Sequence, residues 1–232
     1  MSTAALARSN PARSLFASVI VKKALMAATG AALFLFVTAH LLGNLQVFLG
    51  QDAINNYAAS LKSIPEVLWG ARIGLLLVVL IHIVTTIQLA RINAKARPQS
   101  YAKKNNAYSS GASRSMYLTG PMLAAFIVYH LLHMTTGTVH PMFSETDVHS
   151  NMVFGFRVWY VSLAYVVAMA LLCLHLRHGI QSMFQSLGFN HPKHTPRIKR
   201  AANAISLLYF AGFSSIPIAA LTGVLQPAFE RL

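Results

Sequence analysis

The chain has 232 residues, 55% of them hydrophobic and only 10% charged, with 19 Lys or Arg against 5 Asp or Glu. Soluble domains carry about 25% charged residues, so this composition excludes a soluble enzyme and a disordered tail, and a single cysteine excludes a disulfide scaffold. The formal charge of +14 would suit nucleic acid, but a mean hydropathy of +0.53 argues against the polar surface such a module needs. The expectation is an integral membrane protein with no nucleic-acid partner, whose function rests on the polar residues inside the membrane.

In chain order, the first 22 residues are basic and free of acid, a bias shared with mitochondrial transit peptides. Because the same bias recurs in every connection on that side, 1–22 reads as a cytoplasmic N-terminal segment and 23–232 as one membrane domain. A spanning helix takes about 20 apolar residues. Five stretches qualify, near 24–49, 68–90, 116–136, 156–181 and 201–225. They are continuous rather than alternating, so the fold class expected is an all-α bundle of five transmembrane helices and not a barrel. Arg8, Arg13, Lys22, Lys23, Arg91, Lys95, Arg97, Lys103, Lys104, Arg114, Arg177, Lys193, Arg197, Lys199 and Arg200 fall on one side with no acid. Lys62, Arg72, Arg157 and Arg231 share the other side with Asp52, Glu66, Glu145, Asp147 and Glu230. The positive-inside rule then puts the N-terminus in the cytoplasm and the C-terminus outside.

Ten histidines are many for this length, and His40, His82, His130, His133, His175 and His178 lie in or at the ends of the spans. One membrane histidine alone reads as a structural hydrogen-bonding group. Histidines on four of five spans are different, because neutral imidazoles in hydrocarbon cost free energy unless partnered. Depth sorts them at about 1.5 Å of rise per residue: His40 and His130 lie roughly 24–25 Å from the basic edge, His82 roughly 13 Å and His175 roughly 6–12 Å. Two pairs at two depths, each drawn from two helices, are what two stacked haems with bis-histidine irons require. Cys173 stands alone and no Cys-x-x-Cys-His motif is present, so such haems would be held by side-chain ligands without covalent attachment.

An internal repeat points the same way. Thr29-Gly30 precedes His40, and Thr119-Gly120 precedes His130, at the same spacing. Eleven residues is about three helical turns, so each threonine shares a face with its histidine and lies near the depth of the inner pair. These small residues suit either close approach of a porphyrin or ordinary packing of membrane helices. The repeat selects His130 over His133, whereas His175 and His178 share a face and spacing alone does not separate them. The unused histidines and Arg177 suit a haem propionate near the inner pair. Arg72 and Arg157 suit one near the outer pair, or are interfacial arginines that snorkel.

Several strings, in order over most of the chain, resemble the cytochrome b558 family, the single-chain di-haem membrane anchor of succinate dehydrogenase or fumarate reductase. They are Lys23-Ala24-Leu25-Met26 before Thr29-Gly30, His40-Leu41-Leu42-Gly43-Asn44-Leu45, Asn55 with Tyr57-Ala58, Ala96-Arg97-Pro98, the Thr119-Gly120 to His130 interval, and His175-Leu176-Arg177-His178-Gly179 with Ser182, Gln185, Leu187 and Gly188. The resemblance implies axial ligands at His40 and His130 for the outer haem and at His82 and His175 for the inner. It favours His175 because the family's fourth ligand stands four residues before a glycine, here Gly179. Some fumarate reductases of the family carry a glutamate two residues before that ligand, where this chain has Cys173. That departure tilts the reading towards succinate oxidation.

The function so implied is transfer of electrons from an iron–sulfur subunit, itself served by an FAD-containing flavoprotein subunit, through two b haems to membrane quinone, with menaquinone the expected type. The setting implied is a bacterial plasma membrane, and a higher oligomer of the whole complex is left open. Quinone candidates are Glu66, otherwise a solvated loop carboxylate, and the inner-face Tyr101, Ser115 and His178. The alternatives carried forward are a quinol:fumarate reductase anchor, the cytochrome b of a hydrogenase or formate dehydrogenase, and a haem-free transporter relaying protons through its histidines.

Overall fold

The computed structural model describes residues 18–96, 111–189 and 191–227, with backbone alone for 111–114. Residues 1–17, the Arg97-Pro98 string, Tyr101, Glu230 and Arg231 lie outside the described residues. Every regular element described is a helix: α1 (Val19–Asn44), α2 (Gln51–Lys62), α3 (Pro65–Lys95), α4 (Gly111–Met134), α5 (Val148–Arg157), α6 (Trp159–Ser186) and α7 (Thr195–Leu221). Five of these, α1, α3, α4, α6 and α7, are long and apolar enough to cross a membrane, as expected of a multi-pass protein. Their outward faces carry Leu35, Ile73, Leu80, Val128 and Leu207, all exposed, which is costly in water and natural against lipid.

Sequence punctuation sets the ends. α1 passes into a 3-10 turn (Leu45–Leu49) and stops at Gly50, whose φ of 111° is open to glycine and strained for other residues. Pro65 opens α3, where its missing N–H would be unpaired anyway. α7 ends where Gly223, at φ 78°, turns the chain so that the Leu225 amide donates to the Ala219 carbonyl.

The helices depart from the expected span limits at several ends. Span IV does not begin at 156, because Phe156 belongs to α5 and the chain turns extended at Val158 (φ −77°, ψ 107°) before α6 starts at Trp159. That break is stitched by the Ser162 hydroxyl, which donates to the Phe156 carbonyl at 2.5 Å. Span V ends at Leu221 rather than 225 for the glycine reason given. Span III ends at Met134 rather than 136, where the Thr135 and Thr136 amides both donate to the Leu131 carbonyl. At the other end of span I, α1 begins at Val19, so Lys22 and Lys23 stand on its first turns.

The packing order decides what the interior can hold. α1 packs on α3, α4 packs on α6, and α6 joins the two pairs by packing on α1. α7 lies along α6 and closes that side. The pairs α1/α4 and α3/α6 are therefore diagonals of a four-helix arrangement, and neither is among the closely packed pairs. The short helices α2 and α5 cross the end that bears Asp52, Glu66, Glu145 and Asp147, here called the acidic end. Beneath them lies an apolar core of Val47, Ile54, Val153, Phe156, Tyr165, Ile216 and Ala220. A second core of Leu41, Leu176, Ile180, Ala202 and Tyr209 holds α1, α6 and α7 together further down.

Candidate functional site

The four span histidines lie on the helices of the two diagonals, and one pair meets ring to ring. His40 of α1 and His130 of α4 face each other with ring centres 5.8 Å apart and planes at 84°. Phe36 stacks beside His40, Phe126 beside His130, and Phe213 of α7 lies 6.0 Å from the His40 ring. The Nδ1 of His130 reaches the Tyr165 hydroxyl at 3.2 Å. The other diagonal carries His82 on α3 and His175 on α6. His82 Nδ1 lies 3.1 Å from the Thr29 hydroxyl of α1, and His175 Nδ1 lies 3.4 Å from the Thr119 hydroxyl of α4. Both threonines are buried. A methyl added at Gly30 would touch the His82 ring at 3.5 Å, and one at Gly120 would face open space.

The other predicted residues divide. His178 is half-buried on α6 and within electrostatic reach of His175, and Arg177 beside it is exposed. Arg72 is exposed and lies over the Trp69 ring at 5.1 Å, a cation–π contact at the helix end that suits an interfacial arginine. Arg157 is half-buried in the last turn of α5. Glu66 is exposed in the first turn of α3 and Ser115 is half-buried near the start of α4. His133 is drawn away from the four. Fully buried, it accepts or donates at Nδ1 with the Tyr165 hydroxyl (3.0 Å) and stacks on His140 at 4.9 Å. Its Nε2 has no hydrogen-bond partner among the described residues.

The strings behind the resemblance acquire physical roles. Gly43 is small because the Tyr57 ring lies against it, and a Cβ there would stand 2.7 Å from Cε1. The Asn44 side-chain amide donates to the His40 carbonyl at 2.6 Å. Asn55 donates to Asp147 Oδ1 at 2.9 Å and accepts from the His149 amide at 3.1 Å.

A polar knot at the acidic end was not visible in the sequence. Asp147 caps α5 by accepting from the Ser150 amide (3.0 Å) and hydroxyl (2.6 Å), and also accepts from Gln51 (2.8 Å) and Asn55. Burial pushes its carboxyl upward, but the hydrogen bonds from Ser150 and Asn55 and the nearby His149 outweigh this and hold it below its ordinary value. His140 Nε2 donates to the Asn151 carbonyl at 2.8 Å, and its Nδ1 accepts from the Met142 amide at 3.0 Å. Beside the knot a cleft of about 450 Å³ is lined by Gln51, Met142, Phe143, Ser144, Asp147, Ser150 and Phe154. Neither Glu66 nor any of the four span histidines lines it.

Among the described residues no three His, Cys, Asp or Glu side chains converge as a bare metal ion would need. What the interior offers is imidazoles in twos. Comparison with protein-family models, with curated proteins and with solved structures gives no match.

Proposed function

We propose that this chain is the di-haem cytochrome b membrane anchor of a succinate:quinone oxidoreductase. In this reading His40 and His130 ligate one b haem and His82 and His175 the other. The observation that carries it is the facing of His40 and His130 across one diagonal, with His82 and His175 on the two helices of the other, in a bundle whose diagonal helices are not among the closely packed pairs. The His40 and His130 rings stand 5.8 Å apart at their centres, near enough for one bound group to engage both. The donor set suits the group: imidazole nitrogens with aromatic rings stacked beside them.

Bound haem would supply one-electron transfer. The chain's own residues do the rest. Four helices hold the ligands at two depths, so electrons entering at one membrane face have a second station towards the other. Phe36, Phe126 and Phe213 keep water from the His40–His130 pair. With one free cysteine, Cys173, the chain leaves flavin and iron–sulfur chemistry to partner subunits. Those subunits would dock on the basic end, which the charge asymmetry assigns to the cytoplasm of a bacterial cell. Quinone, expected to be menaquinone, would be reduced at the membrane.

The test is purification of the complex from its native membrane. The expected result is two b-type haems per chain in a reduced-minus-oxidised spectrum, with a flavoprotein and an iron–sulfur protein co-purifying. A chain isolated from such membranes without b-type bands would defeat the reading.

A further inference from the structure

Resting on the haem reading above, we infer that Thr29 and Thr119 are positioning residues for the inner haem, each fixing the tautomer and ring plane of a histidine on the neighbouring helix. The Thr29 hydroxyl donates to the Leu25 carbonyl at 2.7 Å, and also lies 3.2 Å from the Met26 carbonyl. Its one proton is thereby committed to its own helix, and what it turns to His82 is a lone pair. The atom 3.1 Å away is His82 Nδ1, so that nitrogen carries the ring proton. A neutral imidazole protonated at Nδ1 has its lone pair on Nε2, the form that ligates a metal.

The second half of the protein repeats the placement of the hydroxyl. Thr119, fully buried, sets its hydroxyl 3.4 Å from Nδ1 of His175, and its other contact is the weak acceptor Met116 Sδ at 4.0 Å. Thr29 and Thr119 each stand eleven residues before an outer-pair histidine on the same helix. The helices that supply the outer ligands therefore also supply the hydroxyls that orient the inner ones. The outer pair is held differently: His130 meets the Tyr165 phenol, and His40 sits among Phe36, Phe213 and His130. A hydrogen bond accepted from the distal N–H makes a ligating imidazole more basic, which favours ferric over ferrous iron. The two haems are thus differentiated by the residues behind their ligands.

The experiment uses the whole complex in membranes and compares Thr29→Val, which removes the hydroxyl at nearly constant shape, with Thr29→Ser, which keeps it. Thr29→Val is expected to raise the midpoint potential of one haem and shift its low-spin ferric EPR signal, with the other haem unmoved. Thr29→Ser is expected to return both readouts to wild type, and Thr119→Val to move the same haem as Thr29→Val. Loss of one haem in Thr29→Val with both retained in Thr29→Ser supports the assignment equally. It is overturned if Thr29→Val leaves both potentials and both EPR signals at wild-type values, or if Thr29→Ser departs as far as Thr29→Val. Absence of b-type haem from the wild-type complex would instead defeat the functional reading itself, before any variant is made.

Discussion

Asn55 and Asp147, 92 residues apart in the chain, are joined by a 2.9 Å hydrogen bond that ties α2 to the start of α5. Asp147 is simultaneously the N-cap of α5 and the acceptor for Gln51, so one carboxylate binds the first two turns of α2 to the start of α5. Replacing it with alanine removes the cap and the charged acceptor together, at a cost of about 1–3 kcal/mol. Thermal unfolding of the protein in detergent measures this, and Asn55→Ala is expected to show a smaller loss.

The same carboxylate sets a pH dependence. Its folded value lies below the ordinary 3.8, so folding favours the charged form. The stabilisation is therefore complete above the unfolded value and is lost as pH falls through the folded one. The Asp147 contribution, read as the difference between wild type and Asp147→Asn, is expected to be constant from neutrality to about pH 5 and to shrink below pH 4, giving Asp147→Asn a shallower acid limb. Unfolding scans at a series of pH values would show a parallel limb in both proteins if the carboxylate carries none of it.

Histidine replacements separate the two diagonals. His82→Ala and His175→Ala are each expected to remove one haem signal from a redox titration, and His40→Ala and His130→Ala the other. His178→Ala should keep both. Retention of two haems in His175→Ala with loss in His178→Ala would move the ligand by one turn of α6.

Tyr165 offers a test without a cavity. Its hydroxyl contacts Nδ1 of both His130 and His133, and His133 Nε2 already lacks a partner among the described residues. Tyr165→Phe keeps the ring that packs on Phe126 and Phe156 but strips the only hydrogen bond described for the buried His133 side chain. The expected loss is about 1–3 kcal/mol in unfolding free energy.

Gly155 lies where a Cβ would stand 2.8 Å from His140 Nε2 and 2.9 Å from His133 Cε1. His133 is fully buried and has no room to retreat, so Gly155→Ala should cost about 1–3 kcal/mol by overpacking. At Gly43 the obstacle is the outer end of the half-buried Tyr57 ring, and Gly43→Ala combined with Tyr57→Ala should recover most of the loss. A double-mutant cycle on melting temperatures checks the coupling.

The five long helices were legible because each is a charge-poor run of sufficient length, a signal that needs no partner to be read. The histidine pairing was approachable from depth alone, since rise per residue converts position into height. The eleven-residue spacing likewise put Thr29 and Thr119 near the inner histidines, but not the direction of their hydroxyls, which depends on how α1 faces α3. The helices α2 and α5 were missed because they are short and more polar, and their packing is decided by residues such as Asn55 and Asp147 that meet only in the fold. Val158 was swallowed into span IV because a local extended residue leaves no mark in hydropathy. Gly43 and Asn44 could be recognised as a string, yet their reasons, the Tyr57 ring and the His40 carbonyl, are spatial.

Among the described residues α3 and α4 share no close packing, although both border the space between the diagonals. Among the four histidine-bearing helices, the packing of α1 on α6 is then the one close joint between the α1/α3 and α4/α6 pairs, so the spacing across both diagonals turns on that single interface.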